Sequence, residues 1–91
     1  MPVSISTIKK IIGAMPEEFD SHDVIKQIMH RHQRAYADAL VEKTGRNLFH
    51  KLHTELGKQI TEICNDLGYA REESRSLDVF GQSSRCIRWH K

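Results

Sequence analysis

The sequence has no long apolar run. The longest, at Ile11-Ile12 and its neighbours, falls far short of the ~20 residues needed to span a bilayer. The opening residues lack the extended apolar core of a secretory signal peptide, so the expected location is cytoplasmic, with no membrane partner. Cysteine is scarce: Cys64 and Cys86 are too few for a disulfide framework, and both are expected as reduced thiols. Neither Cys-x-x-Cys nor His-Glu-x-x-His occurs, and Gly13, Gly45, Gly57, Gly68 and Gly81 are scattered singly, so no phosphate-cradling loop is present. No repeat or low-complexity stretch is found. These absences leave no recognisable enzyme signature, and the chain is read as non-enzymatic, with no catalytic residue, cofactor or metal assigned.

What is present fits one small globular domain over residues 1–91. Its 91 residues are 38% hydrophobic and 29% charged, within the ordinary range for folded chains. Ser4 or Ser6 can cap a first helix whose apolar stripe is Ile5, Ile8, Ile12 and Met15; Pro16 stops it. Phe19 is expected to turn inward. Ser21 offers a second cap, with Asp23 in the first turn and Val24, Ile25, Ile28 and Met29 as the apolar face. Tyr36, Leu40 and Val41 define a third face that ends near Gly45. Asn47 can cap the longest helix, where Leu48, Leu52, Leu56, Ile60, Ile63 and Leu67 repeat every three or four residues up to Gly68. Gly57 inside it marks a close helix crossing or a bend.

The period then changes. Residues 71–76 read as a loop, 76–80 and 85–89 alternate, and Gly81 to Ser84 read as the turn between them, with Val79, Ile87 and Trp89 inward. The predicted fold is mainly α with a C-terminal β-hairpin: helices over about 5–15, 22–30, 34–44 and 47–67, and a hairpin over about 76–89.

The net charge is only +2, but arginine concentrates in two blocks. Lys26, Arg31, Arg34, Lys43 and Arg46 fall in the first; Arg71, Arg75, Arg85, Arg88 and Lys91 fall in the second, which is free of acids after Asp78. Compact helices followed by a hairpin resemble the architecture of winged-helix domains, in which a helix enters the major groove and the hairpin flanks it. The likeness is one of layout, and this chain departs from it by placing a long helix between the candidate helix-turn-helix and the hairpin, which leaves the identity of the recognition helix open. It implies binding to double-stranded DNA through Arg31, Arg34, Lys43 and Arg46 around the helix at 34–43, and through Arg75, Ser83, Arg85 and Arg88 at the hairpin. Arginine suits that task because its planar fork pairs with phosphate or guanine edges in a bidentate way.

Two other classes compete. The long amphipathic helix at 47–67, or the hairpin edge, can serve a protein partner, including a second copy in a homodimer. A small metal- or thiol-dependent protein is the third class: His50 and His53 lie three apart on the long helix, and Cys86 sits near Arg85 and Arg88.

Overall fold

The computed structural model describes residues 3–43, 45 and 47–91. The elements run α1 (Ile5–Ala14), β1 (Glu18–Asp20), α2 (Ser21–Arg31), α3 (Gln33–Val41), α4 (Leu48–Asp66), β2 (Ala70–Leu77) and β3 (Ser83–His90). Four helices and a C-terminal hairpin are present as the residue pattern predicts, but the hairpin strands and turn fall at other residues, and a third strand, β1, is not predicted.

Local chemistry sets most helix ends. The Ser4 side chain accepts a hydrogen bond from the Thr7 amide at 3.2 Å, filling one of the donors that the first turn of α1 leaves open. Met15 turns extended at φ −74°, ψ 153°, the geometry a following proline requires. α2 is capped by Asp20 rather than Ser21. Asp20 Oδ1 accepts from the Asp23 amide at 2.8 Å while Asp23 Oδ2 accepts from the Asp20 amide at 3.1 Å, a reciprocal capping box. His32 alone separates α2 from α3, its backbone at φ −128°, ψ 50° breaking the helical run. α3 ends at Val41, short of the predicted 44. Asn47 precedes α4 in left-handed geometry (φ 59°) and its side chain makes no capping bond. Gly68, at φ 76°, terminates α4 in the conformation glycine adopts without a Cβ penalty.

β1 pairs antiparallel with β3, Phe19 opposite Trp89, so the sheet is three-stranded in the order β1-β3-β2. β2 covers residues 71–76, where a loop was expected. It runs along β3 from Ala70 opposite His90 to Leu77 opposite Ser83. The turn is correspondingly earlier. Asp78 N–H donates to the Gln82 carbonyl at 2.8 Å, and Asp78 Oδ1 accepts from the amides of Phe80 and Gln82. Gly81 sits at φ 77° within it. Sequence missed β2 because Arg71, Glu72, Glu73 and Arg75 show no apolar alternation; the pairing with β3, not a buried face, makes this edge a strand.

The core joins all the layers. Ile8 and Ile12 of α1, Val24 and Ile28 of α2, Ala39 of α3, and Leu52, Leu56 and Ile60 of α4 are fully buried, together with Trp89 of β3. Each large side chain so buried contributes roughly 1.5–3 kcal/mol. Ile5, expected on the stripe, is 54% exposed, and Ile11 takes an inner position instead. Leu67 is likewise 51% exposed, so the α4 stripe ends at Ile63 and Cys64. Among the described residues no helix is long and apolar enough to cross a membrane.

Candidate nucleic-acid interface

α4 turns its apolar row to the core and leaves a polar row outside. His50, Thr54, Lys58 and Glu62 recur every four residues and therefore share one face. The hairpin lies along that face. Between them is an open groove of about 900 Å³, lined from α4 by His50, Thr54 and Lys58 and from the hairpin by Gln82, Ser84 and Arg85. Gly57 also lines it. A Cβ placed there would meet no atom within 4 Å, so Gly57 does not serve a close helix crossing. Glu62 and Asp78 also reach the groove, but the Asp78 carboxylate is occupied by the turn amides. Those backbone bonds, chiefly the one from Gln82, hold its carboxyl below the usual carboxylate range.

Aromatic packing fixes the hairpin tip to α4. Phe80 stacks on His53 with ring centroids 5.9 Å apart and meets Phe49 edge-on at 5.3 Å. His53 Nε2 shares a 2.8 Å hydrogen bond with the Tyr36 hydroxyl. Burial among these rings lowers the His53 pKa from its ordinary value and raises that of Tyr36.

The predicted contact residues divide into distinct groups. Arg31 and Arg34 flank the α2–α3 break and line a separate shallow recess of about 470 Å³ with His32 and Asp38. Neither arginine lines the α4–hairpin groove. Lys43 is tied to Glu55 of α4 by an ion pair. Arg46 lies outside the described residues. Arg75 and Arg85 are directly opposite one another in the hairpin, both exposed, and neither forms an ion pair with another described residue. Ser83 is exposed opposite Leu77. Arg88 is engaged on the sheet, 2.9 Å from Glu18 and 4.0 Å from Glu72. Its hydrogen bond and charge hold the Glu18 carboxyl low. His50, marked by the sequence only as a candidate metal ligand, falls in one row with Thr54 and Lys58, and their four-residue spacing opposite the Leu/Ile stripe is a legible signal.

A second polar group lies where α2 starts against the hairpin. His22 Nδ1 is 2.7 Å from Ser76 Oγ, and its Nε2 is 3.1 Å from Ser84 Oγ; these two serines are cross-strand partners. Ser76 Oγ also lies 3.6 Å from Cys86 Sγ. Burial is the main cause that pushes the Cys86 thiol up; the Ser76 bond opposes it, while Asp20 and Asp23 add to it. Cys64 is a buried core thiol pushed up to about 11 by burial, and both cysteines are free. His50 and His53 join no cluster of three metal-ligating side chains among the described residues.

Comparison with known proteins gives no match to a family model and no significant match to a curated protein or a solved structure.

Proposed function

We propose that the chain is a non-enzymatic module that binds double-stranded DNA in a winged-helix-like manner, with α4 as the helix offered to the groove and the hairpin as its flanking wing. The carrying observation is that the polar row of α4 and the hairpin border one groove lined by Lys58 and Arg85, neither of which has an ion-pair partner among the described residues; Arg75, across the hairpin from Arg85, likewise has none. A sheet in which the first short strand pairs with the last one, and a helix that leads directly into the hairpin, support the same reading. A major groove about 12 Å wide admits a helix. On this reading α4 replaces the helix at 34–43 as the recognition element. Free cations contact phosphate, while His50 and Thr54 are placed to meet base edges. Arg31 and Arg34 then belong to a more distant contact or to the solvated surface.

The reading as a protein-interaction module has less behind it. The α4 stripe is spent on the chain's own core, so a homodimer would need another face. The free edge of β2 carries Arg71, Glu72, Glu73 and Arg75, the kind of charge that discourages strand addition.

The test is an anisotropy titration with a random-sequence duplex at two salt concentrations. Three or so phosphate contacts predict a slope of log affinity on log salt of about −3. Absence of binding at low salt overturns the proposal.

A further inference from the structure

We propose that Asp20, His22 and Cys86 form a site for a divalent transition metal, zinc being the ion their donors suit best. The three residues come from the end of β1, the first turn of α2 and the middle of β3, so only the folded chain assembles them. One donor atom of each lies within 4.8 Å of the other two. Zinc bond lengths of about 2.0–2.3 Å require ligand separations of about 3.3–3.8 Å in a tetrahedron, so closure by about an ångström completes the set. Side-chain rotation on this scale is available because the donors sit at the ends of half-buried side chains, not in the core.

The chemistry of the set is specific. One thiolate, one imidazole and one carboxylate combine soft, borderline and hard donors, the mixture that zinc accepts and magnesium or calcium does not. A thiolate and a carboxylate together carry the two negative charges that neutralise a dication, and Asp23 adds a further carboxylate nearby. Asp20 spends Oδ1 on the α2 cap and has a second oxygen to give. His22 is already oriented, with a serine hydroxyl at each ring nitrogen. Coordination through one nitrogen replaces one serine, and the other serine remains as the partner that holds the ring, as is usual for metal-bound histidine. Ser76 Oγ, which reaches both His22 and Cys86, marks the space between the donors. Because His22, Ser84 and Cys86 also line the α4–hairpin groove, the fourth position is open to water. Metal there would tie β3 to the β1–α2 junction and steady the hairpin. This site stands on residues that the DNA-binding reading does not use, and its test is separate.

Cobalt(II) serves as the probe, added to the reduced 91-residue chain and followed by absorption. The expected result is saturation at one equivalent, with a thiolate-to-cobalt band in the near ultraviolet that zinc abolishes on displacement. Cys86→Ser should remove the band. His22→Gln should weaken binding at least about tenfold, and so should Asp20→Asn, which keeps the α2 cap because asparagine caps as well as aspartate. Cys64→Ser and His50→Gln should leave the spectrum unchanged. No thiolate band in the wild-type chain overturns the site without recourse to any variant. A band that survives Cys86→Ser, or one lost with Cys64→Ser in a chain with unchanged circular dichroism, overturns it as well.

Discussion

Gly57 shows how a single position can be free of the constraint its residue type suggests. It lies inside α4 and in the groove wall, where a methyl group would meet no atom within 4 Å. Its carbonyl accepts from Thr61 Oγ1 at 2.9 Å, a bond that does not involve the missing Cβ. Glycine in a helix interior costs roughly 0.5–1 kcal/mol relative to alanine. Gly57→Ala is therefore expected to stabilise the chain by about that amount, read as a higher urea midpoint with an unchanged slope. A loss of stability would mean that the groove wall requires glycine for a backbone reason. At the same scale, the arginines differ by what touches them and not by type: Arg88 faces Glu18, whereas Arg75 faces Arg85.

At the scale of elements, the hairpin and α4 are held together through His53. Its ring is stacked on Phe80 from the hairpin turn and bonded to Tyr36 from α3. Burial lowers its pKa in the folded chain. The unfolded chain therefore takes up the proton first on acidification. The stability this buried neutral ring supports is complete above the ordinary histidine value near 6.5 and is lost as pH falls from there toward the depressed folded value. The expected outcome is a melting temperature that declines between pH 7.5 and 5.5 in the wild type and declines less in His53→Gln. The Glu18 carboxyl, held low by Arg88, titrates below this window and does not confuse it. Equal slopes in the two proteins would show that the ring is not the group responsible.

At the scale of the whole molecule, a net charge of +2 is too small to define a binding face, and the distribution of unpaired cations decides. Lys43 and Arg88 are engaged by acids, while Arg75 and Arg85 sit together on the hairpin without an ion pair to a described residue. On the proposed DNA-binding reading, replacing Arg75 and Arg85 together with alanine is expected to reduce the magnitude of the salt slope by about 2, one for each phosphate contact that reading assigns them. Arg88→Ala should leave the slope near the wild-type value, since its charge is already countered on the sheet. The reverse pattern would move the contact face to the Glu18–Arg88 side of the sheet.

The sequence by itself determined the four helices, a serine cap at Ser4 or Ser6 for the first of them, the stop at Pro16, the end of α4 at Gly68 and the inward row Leu52, Leu56, Ile60 and Ile63; the folded chain places that cap at Ser4. All of these depend on residues within about four positions of one another, which is the range over which a helix writes its pattern. Tertiary structure alone decided β1, the strand at Ala70–Leu77 and the clasp at His22. It also decided which cations remain available: Arg88 meets Glu18 from 70 residues away, and Lys43, just beyond α3, meets Glu55 of α4. Strand pairing and ion pairing join distant positions through space, and neither leaves a period in the chain from which to read it.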